Sequence, residues 1–163
     1  MTSPADRPKV VLDCNVFVQA IAFENSPAAI CFRLLETSVI QVFISRPVLK
    51  EFYEVLSYDT VLAMSPRMSP DIIADYLGRL GFRASLLPRI SRVVDFPRDP
   101  KDARYLNLSI AAKAQFLVTQ DKDLLSLDSG HTPLHKQLHQ LNRQLRILKP
   151  LAFLTAIGHE FKG

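Results

Sequence analysis

Short apolar runs and helix-period stripes alternate along the chain. KVVL, Lys9–Leu12, is a brief β-branched run ended by polar Asp13, the pattern of a buried strand. Ser26-Pro27 reads as an N-cap followed by proline at the first helical position, and Ile30, Leu34 and Leu35 then share one helix face. QVFIS, Gln41–Ser45, predicts a second strand. A helix over 47–56 follows, with Val48, Phe52, Val55 and Leu56 as its apolar stripe. Ser69-Pro70 opens another, striped by Ile72, Ile73, Tyr76, Leu77 and Leu80, with Gly81 as a stop signal. Val93-Val94 suggests a short strand, and Asp99-Pro100 the start of a helix over 99–114. FLVT at 116–119 predicts a strand, with a short helix near Leu124. Residues 145–148 read as a last strand, and Pro150 as the start of a last helix. Strands that alternate with helices imply an α/β fold, a parallel sheet covered on both faces.

With 163 residues the chain suits one domain, and 48% apolar residues give it an ordinary globular core. No apolar run approaches a membrane span; the most apolar stretch, 10–23, is broken by Asp13, Asn15 and Gln19. Residues 1–8, with Pro4, Asp6 and Pro8, predict a disordered leader to a domain over 9–163. Two cysteines, Cys14 and Cys31, are too few for a disulfide scaffold, so a reducing cytoplasm is the expected location. The net charge of +4 is uneven: residues 1–127 hold 15 Lys+Arg against 14 Asp+Glu, and residues 128–163 hold five against two.

The chemistry lies in the acids. In a parallel sheet, function sits outside the carboxyl ends of the strands. Asp13 ends the first strand, and Asp121 and Asp123 follow FLVT. Glu51 and Asp102 reach the same edge from helix starts. Clustered carboxylates do not ionise together without a cation, and an oxygen-only set suits Mg²⁺ or Mn²⁺. Bland alternatives exist. Asp13 could cap a turn, and Glu51 could be a solvated helix residue. With Asp99 as N-cap, Asp102 could complete a capping box; Asp121 and Asp123 could begin the short helix. Convergence of separate segments on one edge favours the metal reading.

Three blocks resemble the PIN-domain family, in its branch of VapC-like ribonucleases, toxins of toxin–antitoxin systems. VVLDCNVFVQA resembles the family's opening D-T-N-V strand, with Cys14 in place of Thr. RPVLKEFYEVL resembles the block with the helical Glu, and DPKDARYLNLSIAAKAQFLVTQDKDLL the long third block. RILKPLAFL is similar to the family's last strand and helix. The resemblance implies a three-layer α/β/α sandwich and an Mg²⁺- or Mn²⁺-dependent endoribonuclease. It makes Asp13, Glu51, Asp102 and Asp121 both the catalytic and the metal-binding acids. Asn15, Thr119, Asp123 and Asp99 become supporting groups. It further implies an antitoxin partner and a homodimer. Gln120 departs from the usual Gly, and Ala103 from a further Asp of some relatives. Arg46, Lys50, Arg98, Lys101, Arg104 and Lys122 flank the acidic blocks and are the candidate RNA contacts.

Between the acidic loop and the last strand lies a basic, His-rich insertion at about 128–144. His131, His135 and His139 recur every four residues, a spacing that also admits Zn²⁺, although Pro133 interrupts it. Leu134, Leu138 and Leu141 beside them predict an amphipathic segment packed on the body or on another chain. Two rivals remain. One is a catalytically inactive module of the same fold that binds RNA or an antitoxin. The other is a haloacid-dehalogenase-like phosphatase, which wants a second Asp where Asn15 stands.

Overall fold

The structure is a computed structural model that describes residues 6–162. Residues 1–5 of the expected disordered leader lie outside the described residues. Pro8, by contrast, is tied in, its carbonyl accepting from the Gln41 N–H at 2.9 Å. Five parallel strands form one sheet: β1 (Lys9–Leu12), β2 (Gln41–Ser45), β3 (Ser85–Leu87), β4 (Phe116–Val118) and β5 (Arg146–Leu148). Their order is β3-β2-β1-β4-β5. The chain steps outward from β1 to β2 to β3, then crosses back to β4 and β5. With right-handed crossovers, the two directions put their helices on opposite faces.

The packing agrees. Helices α1 (Cys14–Ala22), α2 (Pro27–Glu36), α5 (Pro70–Arg83) and α9 (Pro150–Ala156) contact one another, as do α6 (Ala103–Ala111) and α8 (Pro133–Leu141). The remaining helices among the described residues are α3 (Arg46–Val55), α4 (Asp59–Leu62) and α7 (Lys122–Leu125). The molecule is therefore the parallel sheet covered on both faces that the sequence pattern implied, and the three-layer α/β/α sandwich that the resemblance implied. Val10, Val11, Leu117 and Val118 of the central strands are wholly buried, as a sheet covered on both faces requires. Phe17 of α1 stacks on Phe52 of α3 at 5.2 Å between ring centroids and meets Phe32 of α2 edge-on at 5.7 Å. That contact pins α3 one residue after Glu51.

Several elements differ from the sequence pattern. The apolar run after Asp13, to which the pattern assigned no element, is the helix α1, which continues for more than two turns and buries residues on most sides. The helix opened by Ser69 runs through Gly81 to Arg83, since Leu80 and Ile73 still face the core and the helical backbone there has room. The third strand is Ser85–Leu87, paired with β2, and not Val93-Val94. Residues 93 and 94 are held instead by one side chain. Asn107 Oδ1 accepts from the N–H groups of Val93 (2.8 Å) and Val94 (3.0 Å), and its Nδ2 donates to the carbonyls of Val94 (3.0 Å) and Ala103 (2.9 Å). This buried amide fills every hydrogen-bonding position and takes the place of a strand partner.

At the far edge of the sheet, β5 has its outward Ile147 N–H bonded to Asp128 Oδ1 at 2.7 Å. Asp128 also receives Nε and Nη2 of Arg146, each at 3.0 Å.

Replacing Asn107 by Ala should destabilise the protein by about 1–3 kcal/mol, since the buried Val94 N–H and C=O lose their partners. Urea unfolding measures this. Stability equal to the parent's would show that residues 93–94 are anchored by something else.

Candidate metal centre

The order β3-β2-β1-β4-β5 reverses direction between β1 and β4, the place where a parallel sheet leaves a crevice at its carboxyl edge. Asp13 follows β1 and Asp121 lies three residues past β4, so both fall at that crevice. The cleft there has a volume of about 380 Å³. Its acidic lining is Asp13, Glu51, Asp99, Asp102 and Asp121. Val18, Val55, Val61 and Met64 add apolar lining.

Each acid is held differently. Asp13 is 6% exposed, and its Oδ2 accepts from the Thr119 hydroxyl at 2.6 Å and from Asn15 Nδ2 at 3.3 Å. The same Thr119 oxygen accepts from the Asp121 N–H at 2.9 Å, which ties the end of β4 to the end of β1. Asn15 Oδ1 accepts from the Gln120 N–H at 3.2 Å. Gln120 needs no left-handed backbone, so a glycine is not required there, and its side chain reaches Gln19 at 3.0 Å. Asp121 Oδ1 caps α7, accepting from the N–H groups of Asp123 (2.8 Å) and Leu124 (3.1 Å). The cap reading of Asp121 thus holds for one of its oxygens. Asp123 itself is drawn away to Arg98 at 3.2 Å.

For Asp102 the capping box does not form. Helix α6 begins at Ala103, later than Asp99-Pro100 suggested, and the Asp102 side chain makes no cap bond. Asp99 instead closes a turn on the Lys101 N–H at 3.0 Å. Asp102 Oδ2 is buried and has no hydrogen-bond partner. Ligand atoms of Asp99, Asp102 and Asp121 all lie within 4.8 Å of one another. Asp99, expected only to support, therefore joins the tightest group, while Asp13 and Glu51 line the same cleft outside it. An orphaned buried carboxylate oxygen beside two further carboxylates fits a hard divalent cation: the donors are all oxygen and the charge is unbalanced.

The charges confirm the crowding. Burial, then the neighbouring Asp121, Asp99, Asp13 and Glu51, push the Asp102 carboxyl up to about 7. Burial also raises Asp13 to about 6, against the lowering effect of the Thr119 hydrogen bond, with Glu51 and Asp121 adding to the rise. Sequence reasoning missed Tyr105. Its hydroxyl donates to Glu51 Oε2 at 2.9 Å and accepts from the Cys14 N–H at 3.2 Å. It thereby joins α6, α3 and the start of α1 beneath the site. In the sequence Tyr105 is one more apolar-stripe residue, and nothing marks its hydroxyl. Burial raises the Cys14 thiol well above its ordinary range and Cys31 to about 12, so both stay protonated.

The basic residues divide. Arg46, Lys50, Lys101 and Arg104 meet in one pocket beside Glu51; Arg98 pairs with Asp123, and Lys122 is exposed on α7. The histidines do not converge as a set. The helix begins at Pro133, capped by Thr132, so His131 lies before it. His135 and His139 stack at 6.2 Å, and His135 Nδ1 donates to the Leu127 carbonyl at 2.8 Å. No histidine joins a group of three possible metal ligands among the described residues. The segment packs on the body through the buried Leu138.

The sequence profile of the family described as "PIN domain" matches residues 9–123. Those residues include all five carboxylates of the cleft. No curated protein matches the chain.

Two predictions come from the carboxylates. Asp13 and Asp102 bind protons more readily in the folded state than at their ordinary value of 3.8. Without metal, stability should therefore fall as pH rises from about 4 to about 7. Asp102→Asn removes part of that fall and should gain about 1–2 kcal/mol on the parent between pH 4.5 and 7.5. Chemical denaturation at both pH values decides it; parallel pH curves would sink the assignment. Second, Mg²⁺ should raise the parent's melting temperature at pH 7.5 and leave Asp102→Asn nearly unmoved, because a ligand stabilises only the state that binds it.

Proposed function

Because the chain belongs to the PIN-domain family, whose members are generally metal-dependent nucleases, we propose that it is a divalent-metal-dependent endoribonuclease. The observation that carries this reading is the buried, unpartnered Asp102 oxygen between Asp99 and Asp121. Those three residues would hold Mg²⁺ or Mn²⁺. The ion, when bound, polarises the phosphodiester and makes water a better nucleophile.

The chain's own residues do the rest. Thr119 and Asn15 fix the Asp13 carboxylate, and Tyr105 fixes Glu51, so neither can swing toward the other acids. They complete the acidic surround and orient the attacking water. Asp13, raised to about 6, can take up a proton near neutral pH. Thr119 couples the two strand ends, so its hydroxyl sets the spacing of Asp13 and Asp121. The catalytic set is thus Asp13, Glu51, Asp102 and Asp121, with Asp99 added as a ligand.

The resemblance to VapC-like proteins extends the reading: the nuclease is the toxin of a toxin–antitoxin pair and acts as a homodimer restrained by its antitoxin. Induced expression then arrests growth, and Asp102→Asn relieves the arrest.

Cleavage of single-stranded RNA should need Mg²⁺ or Mn²⁺ and fall at least about 100-fold in Asp13→Asn, Glu51→Gln, Asp102→Asn or Asp121→Asn, the scale on which catalytic groups act. Gel analysis of labelled RNA checks this. Undiminished cutting in excess chelator would refute the metal requirement, and tight binding with no cutting by the parent would mark an inactive module. Release of phosphate from small phosphomonoesters would instead favour the phosphatase.

A further inference from the structure

The acidic cleft continues into a second pocket of about 440 Å³, with which it shares Glu51 and Lys101. Four cations line that pocket, Arg46, Lys50, Lys101 and Arg104, against Glu51 and Glu54. All four are exposed. Glu51 is already committed to the Tyr105 hydroxyl. Lys50 reaches Glu54 only at 3.9 Å, with both side chains well exposed, so that pair is weak. Among the described residues, Arg46, Lys101 and Arg104 form no ion pair. Arg46 opens α3 and Arg104 lies in the first turn of α6, so two helix N-termini add positive potential.

Of the other basic candidates, Arg98 is paired with Asp123 at 3.2 Å, and Lys122 is exposed on α7 beside Asp121. A chain of phosphates laid across the carboxylates meets this pocket directly beside them, where the two share Glu51 and Lys101. A lone anion would gain nothing from the acidic cleft next door, whereas a strand can place one phosphate at the carboxylates and the next among the cations.

We propose that the pocket of Arg46, Lys50, Lys101 and Arg104 receives a backbone phosphate flanking the one that is cut, so that single-stranded RNA is gripped directly beside the cleavage point. The assignment rests on the ribonuclease reading. It makes Arg46 and Arg104 contacts to substrate, each a guanidinium fork suited to phosphate oxygens.

The test is binding of a short fluorescein-labelled single-stranded RNA, by anisotropy, in an Asp102→Asn background so that the strand is not cut. Salt is varied from about 50 to 200 mM. Adding Arg46→Gln and Arg104→Gln should weaken binding at least about tenfold and make the slope of log K against log salt shallower by about 0.7, one lost phosphate contact on a single strand. Adding Arg98→Gln should change the slope by less than about half a unit. All three residues are exposed, so the variants retain the fold, which circular dichroism verifies. A parent-like slope in the double variant, with binding retained, overturns the phosphate pocket and leaves the ribonuclease reading standing. No RNA binding and no cleavage by the parent protein with Mg²⁺ at about 50 mM salt overturns the ribonuclease reading itself. Displacement of the RNA by inorganic phosphate as readily as by unlabelled RNA overturns the strand track in favour of a lone-anion pocket.

Discussion

Mutual repulsion of carboxylates is the constraint around which this protein is built. Five acids line one cleft at the point where the sheet reverses direction. Left ionised and bare, a pair of unit charges about 5 Å apart at an effective dielectric near 20 costs roughly 3 kcal/mol. The surrounding structure distributes that load. Thr119 and Asn15 hold Asp13, Tyr105 holds Glu51, and two backbone amides hold Asp121. Asp102 alone keeps a buried oxygen without a donor, and its carboxyl titrates near 7. The hydrogen bonds that steady the other acids also aim the imbalance at one place, where a cation would be welcomed.

The scaffold that enforces this is made of ordinary parts. Parallel β1 and β4 bring Asp13 and Asp121 to one edge through register alone. Aromatic stacking of Phe17 on Phe52 locks α3, and so Glu51, against α1. Asn107 ties down the irregular stretch before α6, which carries Asp99 and Asp102. Buried packing thus sets the positions of groups that repel one another, and stability elsewhere compensates for strain at the site.

The strand–helix alternation, and with it the sandwich, was legible because burial on both faces leaves short apolar runs at β1, β2 and β4. The four acids of the family pattern could be named for the same reason, since strand ends and helix starts are marked in the sequence. What could not be read was tertiary. Ser85–Leu87 is three residues with only partial burial, too short to carry a period. Val93-Val94 has strand composition but takes its partner from an asparagine side chain, which no local pattern announces. Asp99 looked like a cap because Pro follows it; the turn it closes is real, but its carboxylate also meets Asp102 and Asp121 across space. The histidine spacing promised one face, and the helix start at Pro133 removed His131 from it.

The Asp128 bridge at β5 bears on how the molecule meets others. A sheet offers a hydrogen-bonding template at each lateral edge, and chains that add there can grow without limit. Here one template is blunted internally: the outward Ile147 N–H is already bonded to a carboxylate that Arg146 holds in place. The opposite template, β3, is only three residues long. The protein is thereby left with few backbone groups open to strand-by-strand addition among the described residues, so high concentration finds little purchase for fibre growth along its sheet.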